Sequence, residues 1–401
     1  LRGLTALQTS AFQQGLQRFN EVVSVSGTQP GATGSGLGPH FNLNSCAGCH
    51  AFPSAGGSSP AANPQPALAT FYGAQNVVPS FITETGPVRE VRFVTNADGT
   101  PDGGVHDLYV ITGRTDAAGC NIAQPDFAAA VAANNAIFRI PTPVFGAGLI
   151  EAILDATILA NQSANAAPKT QFGITGHPNR NPNTGTISRF GWKAQNTSLQ
   201  IFGAEAYNTE IGVTNENYPQ KRDDTKGCIF NTLPEDATNF SAATPIVGMS
   251  DVTGFAQFMG LLAPPAPVPN PSPSQQRGGQ VFAQVGCALC HTPTLQTGPS
   301  ITASLNNKPV ALFSDLLVHH MGTGLADGIT QGSAGGDEFR STPLWGLGQR
   351  LFFLHDGRTT DLVQAITAHQ SPGSESNQSV AAFLGLPAQA KQDLLNFLRS
   401  L

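Results

Sequence analysis

Over residues 5–21, TALQTSAFQQGLQRFNE, apolar side chains recur at Leu7, Phe12, Leu16 and Phe19. That spacing predicts a helix with one apolar stripe, and Thr5 stands where an N-cap is wanted. The chain closes on a second stripe, LPAQAKQDLLNFLRSL, which offers Leu394, Leu395, Phe397, Leu398 and Leu401 to one face. Between the two the period changes. VREVRFVT and HDLYVITGR alternate as strands do, with NADGTPDGG as turn chemistry between them. PVFGAGLIEAILDATILANQ reads as a buried helix, and TGHPNRNPNTGTISRFGWKAQ as a loop feeding a further helix through SLQIFGAEAYNTEIG.

The sharpest break is APPAPVPNPSPS, residues 263–274. A Pro-rich run cannot donate a hydrogen-bond ladder and favours extended, semi-rigid geometry. After it, QQRGGQVFAQVGCALCHTP repeats a plan met near the start, where the first helix and a Gly-rich loop lead into NSCAGCHAFP. The pattern therefore predicts a first domain over 1–262, elaborated between about 60 and 260, a linker over 263–274 and a second domain over 275–401.

Composition narrows the class. Only 11% of the 401 residues are charged, while glycine and proline number 44 and 30, so irregular structure is expected between short elements. The net charge of −6 comes with no basic run, which gives no reason to expect nucleic-acid binding. No stretch approaches the roughly 18–20 apolar residues needed to span a bilayer. Of six cysteines, Cys120 and Cys228 stand alone, and the other four form two CxxC pairs. The lone two read as one disulfide in an oxidising compartment, or else as two buried free thiols.

The pairs carry the chemistry. Cys46 and Cys49 are followed by His50, and Cys287 and Cys290 by His291. Zinc would use the four thiols together but leaves both following histidines unexplained. A thiol redox pair would want one motif after a strand. A covalently attached c-type haem needs both thiols for its vinyl groups and the next histidine for its iron, so two such haems are expected, outside the cytoplasm. The chain then reads as mainly α, with two class I cytochrome c-like domains and some β-strand in the first domain's insertion. The sixth position of each iron decides between catalysis and electron transfer. His369 is the candidate for the second haem, because the helix LVQAITAHQ rises from the LHDGRTTD turn in the same domain. Met321 and His355 are reserve ligands. The first domain offers no comparable candidate.

FSDLLVHHMG, FRSTPLWGLG, FFLHDGRTTDLVQAITAH and the two CxxCH motifs resemble the bacterial di-haem cytochrome c peroxidase superfamily. FNLNSCAGCH, RFGWKAQNTSLQ and KQDLLNFLRSL are similar to its di-haem oxidoreductase branch of peroxidase-like proteins, also labelled thiol oxidoreductases. The resemblance implies two facing haem domains. His50 would hold a haem that reacts with hydrogen peroxide or another small oxidant. His291 would hold a haem fed by a small donor protein, a cytochrome c or a cupredoxin. The family's distal ligand to the second haem stands fourteen residues after the histidine of HDG, which here is His369.

Two features depart from the peroxidases: no histidine lies between His50 and His106, and no catalytic glutamate is plainly placed. Glu84 and Glu90 are the candidates for proton transfer. Trp192 and Trp345 are candidates for electron relay, or for rings packed on a porphyrin. Arg340, Arg358 and Lys193 are candidates for haem propionates, and His319, His320 and Met321 for packing and hydrogen bonding beside the second haem. The resemblance also admits a bound calcium ion without naming its ligands. The competing classes are a di-haem oxygenase acting on an organic substrate, with the insertion as its channel, and a non-catalytic electron carrier.

Overall fold

The computed structural model describes residues 1–401. Its first helix, α1 (Ala6–Phe19), opens with a capping box: Thr5 Oγ1 accepts from Gln8 N at 3.2 Å, and Gln8 Oε1 accepts from Thr5 N at 2.9 Å. Later helices that matter are α2 (Leu199–Glu210), α3 (Asp251–Leu261), α4 (Pro273–Gln284), α5 (Leu362–Ala368) and α6 (Ala388–Leu398). α4 repeats the capping box through Ser272 and Gln275, with Pro273 at the first helical position.

α1 packs on α3, and α4 on α6, by one device. A Cβ on Gly15 of α1 would stand 2.1 Å from Gly254 O of α3, and one on Gly278 of α4 would stand 2.0 Å from Asp393 O of α6. Only hydrogen fits there, so each helix pair crosses backbone to backbone. Four residues on from each glycine a phenylalanine seals the crossing. Phe19 meets Phe258 at 4.8 Å between ring centroids, and Phe282 meets Phe397 at 5.5 Å. The helical stripes at the two ends of the chain therefore find different partners, each beside its own CxxCH turn.

Three expectations change. The stretch expected as one buried helix is two, Ala147–Glu151 and Asp155–Ser163. Ile153 between them is drawn into a bridge with Thr297, while Asp155 accepts from Ile187 N at 2.9 Å and pairs with Arg189. The two alternating segments meet only at their near ends, where Arg92 bridges Val105 and His106 N donates to Val91 O at 2.9 Å; their longer ladders go elsewhere, Glu90–Phe93 antiparallel to Ala136–Arg139 and Tyr109–Val110 to His40–Phe41. Val91 and Tyr109 are both fully buried, so their alternation records burial against the core as well as the short hairpin. Nor is strand confined to the middle region, since Val318–His320 pairs with Glu338–Arg340.

The main core runs from Phe19 through the middle region and takes in Leu295, Leu312, Leu317 and Trp345. A smaller core gathers Phe282, Phe353, Leu362, Phe383 and Leu394 around α4 and α6. Buried charge joins the middle region to the C-terminal one: Arg139 reaches Asp327 at 2.6 Å and Lys193 reaches it at 3.1 Å, all three side chains at most 2% exposed. Cys120 and Cys228 form a disulfide, so the free-thiol alternative falls. No helix is long and apolar enough to cross a membrane.

Candidate functional site

Each CxxCH turn borders its own large cavity. One, of about 1090 Å³, is lined by Cys46, Cys49 and His50; the other, of about 1410 Å³, by Cys287, Cys290 and His291. Both are partly open to solvent. The cysteine pairs line different cavities and so cannot share one zinc ion. Burial pushes the Cys46 and Cys287 thiols up to about 12, which disfavours the thiolate that a redox pair would use.

The histidines are prepared as ligands. His50 Nδ1 bonds the Gly57 carbonyl at 3.0 Å and His291 Nδ1 the Phe313 carbonyl at 3.1 Å, which fixes the proton on Nδ1 and leaves Nε2 free. Burial pushes both rings down to about 4, so each is neutral at ordinary pH. A third histidine is prepared in the same way. His369 follows α5, its Nδ1 bonds Ala365 O at 2.7 Å, and it lines the second cavity with His291, whose basicity it further depresses. His319 lines the same cavity, but both of its nitrogens are taken, Nε2 by Asp315 at 3.0 Å and Nδ1 by Glu375 at 2.9 Å. Met321 and His355 also line it, His355 stacked on Phe339 with ring centroids 4.3 Å apart.

The first cavity is built differently. His50 is its only histidine, and its far wall is polar: Glu90, Arg92, Arg139, Gln195, Glu205 and Glu210 reach it. The soft donor Met259 lies five residues beyond Gly254 on α3, as Leu398 lies five beyond Asp393 on α6, so it holds a helix-packing position that recurs in the second cavity as leucine.

Glu90 and Glu210 form a partly buried carboxyl pair. Burial and the charge of Glu90 lift Glu210 well above the usual carboxylate range; at Glu90 burial acts upward too, but the Arg92 guanidinium 2.6 Å away, the hydrogen bond with Glu210 and the charge of Arg139 together hold it down to about 2. Glu210 therefore carries a proton at neutral pH, and Glu90 does not. Asn42 donates to Glu210 at 2.8 Å and to Asp107 at 3.2 Å, which positions the pair from behind.

A family profile described as "Di-haem oxidoreductase, putative peroxidase" matches residues 102–401. The chain belongs to this di-haem family. Among solved structures it is similar to the hydrazine synthase of Kuenenia stuttgartiensis, at 21% identity and a TM-score of 0.25, over 39% of this chain and 56% of that one. A MauG-like protein associated with microbial copper homeostasis is similar at 16% identity and a TM-score of 0.26, over 40% of this chain and 55% of that one. The chain thus spans little more than half the length of either structure. No curated protein sequence matches it.

For a di-haem oxidoreductase, two haems are the implied cofactors, and the cavity walls fit them. Beyond the neutral histidines, the second cavity is lined by two guanidiniums, Arg340 and Arg350, that have no carboxylate partner, which suits a group bearing acidic substituents. Arg350 escaped the sequence reading because nothing in its neighbourhood marks it as buried. Glu210 escaped as well, because it lies at the end of its helix and shares its face with Ala206, which carries no chemistry to flag it.

The remaining candidates separate. Trp192 lines both large cavities and donates from Nε1 to Ile140 O at 2.9 Å. Trp345 lines neither and packs against Gly146 and Pro264. Arg358 is at the surface, paired with Asp356 at 2.6 Å. Lys193 is spent on Asp327 and on the carbonyls of Gly335 and Glu338 at 2.8 and 2.9 Å. Glu84 is exposed, and His320 pairs with Asp337 at 3.1 Å. No group of three or more His, Cys, Asp or Glu side chains gathers as a metal site.

Proposed function

We propose that this di-haem oxidoreductase reduces hydrogen peroxide at the first cavity with electrons that enter through the second. Both haems are attached covalently at the CxxCH turns, and each sits in a cytochrome c-like domain, over 1–262 and 275–401, joined by the linker 263–274. The protein works outside the cytoplasm, in keeping with its disulfide and with haem attachment. Its donor is a small cytochrome c or cupredoxin. One observation carries the reading: the second cavity is lined by two prepared histidines, whereas the first is lined by His50 and an acid–base pair.

A haem bound at each motif supplies redox-active iron. The chain supplies the proton-handling groups, and the donor supplies the electrons. His369 would hold the second haem, which would suit that haem to store and pass electrons. In the first cavity, Glu90 would be the base that takes a proton from the incoming peroxide, and Glu210 the acid that protonates the leaving oxygen. The balance is one peroxide, two electrons and two solvent protons giving two waters: one proton recharges Glu210, and the other joins the proton that Glu90 returns to the retained oxygen. Trp192, which borders both cavities, is placed to connect them.

Steady-state assays with peroxide and a reduced donor test this reading. The expected result is saturable turnover at least about a hundredfold above that of free haem, in the range that positioned acid–base groups confer. Turnover no faster than free haem would contradict it.

A further inference from the structure

Arg340 and Arg350 pose an electrostatic problem that the protein alone does not solve. Arg340 is 8% exposed and uses one N–H, on Gly191 O at 3.1 Å. The Arg350 guanidinium makes no hydrogen bond or ion pair. Burial pushes both down to about 10, and Arg350 lowers Arg340 further, which marks the two as neighbours of like charge. Guanidiniums stay protonated in proteins, so two of them walled off together without a carboxylate are costly unless an anion arrives.

Their location says how many anions. A narrow cleft of about 450 Å³ lies between the two large cavities. Thr142, Gly191 and Phe202 line both this cleft and the first cavity, while Arg340, Thr342 and Arg350 line both the cleft and the second. The arginine pair therefore lines the second cofactor space and the cleft that leads from it toward the first. Arg350 also faces a further small cavity against Phe52 and Ser58, beside the first CxxCH turn. We propose that Arg340 and Arg350 form one shared anchor that takes acidic side groups from both haems and so couples their redox equilibria. A cation beside those carboxylates favours the more negative, reduced state of each iron, so the pair raises both potentials together. The inference rests on the placement of the two haems and not on the choice of oxidant.

Redox titration of the holoprotein, followed by absorption so that the two haems are resolved, tests it. Arg350→Gln is expected to lower both midpoints, each by about a tenfold change in the ratio of reduced to oxidised iron, about 59 mV for one electron. Arg350→Lys, which keeps the charge, is expected to restore most of the loss. If Arg350→Gln does not fold, Arg340→Gln is held to the same joint shift. A shift confined to one haem, or none at either, overturns the shared anchor. A wild-type protein inactive with peroxide would overturn the functional reading and leave this titration able to decide.

Discussion

Replacing Glu210 by glutamine is expected to lower kcat for peroxide by about 10²–10⁴-fold, the range in which a positioned acid–base group contributes. Glutamine keeps the volume and still accepts from Asn42, so the change removes the transferable proton and little else. The ferric spectrum and the unfolding temperature should stay close to wild type, which separates lost proton transfer from lost structure. The same assignment fixes a pH dependence. Glu210, raised by burial and by Glu90, holds its proton through neutrality and gives it up on the alkaline side, so turnover falls as pH rises. Glu90, held down to about 2 by Arg92, stays a carboxylate over the whole working range, so no matching acid limb arises from it. Peroxide kinetics of Glu210→Gln across pH measure both effects. Unchanged kcat with an unchanged alkaline limb would remove the acid role from Glu210.

The largest effect on folding is expected at Gly278. A Cβ there meets Asp393 O at 2.0 Å and Phe397 Cβ at 2.6 Å, and neither can swing away, because one is backbone and the other a side-chain root. Gly278→Ala must push α4 off α6, at a cost at or above the roughly 1–3 kcal/mol typical of overpacking. The smaller core depends on that crossing, so the second cavity should lose its shape and the protein should retain less of its second haem. Gly279 is the internal control. Its added Cβ first meets the Phe397 ring at 3.4 Å, ordinary contact, and alanine there should be neutral or stabilising by up to about 1 kcal/mol. Thermal unfolding and haem content of the two variants should diverge. A mild Gly278→Ala would show that the helices can separate without harm.

What the sequence revealed about this molecule was whatever lies on one element. The end helices, the Thr5 cap, the Pro-rich run and the two CxxCH motifs are local patterns; the structure forms both helices and the cap, although Leu7 of the first stripe is exposed. Pairing was not local. The strand at Glu90 takes residues 136–139 as its main partner and meets the nearer alternating segment only at a short bridge, a choice that no local pattern records. The site divided along the same line. His369 was legible because its helix and its distance from His355 are features of one stretch. Glu210 and Arg350 come to their cavities, and Asn42 to Glu210, from separate parts of the chain, and nothing beside them in sequence records that convergence. Trp345 and Lys193 show the opposite case: scarcity and charge drew notice, yet one packs on Gly146 and the other is consumed by Asp327.

The proposed function requires an asymmetry, with a first iron position that the chain would leave open and a second that His369 would close. Electron paramagnetic resonance of the ferric holoprotein measures it directly. The prediction is one high-spin signal and one low-spin signal of bis-histidine type, the latter turning high-spin in His369→Ala. Two low-spin signals of equal weight, or a low-spin signal that survives His369→Ala unchanged, would contradict it.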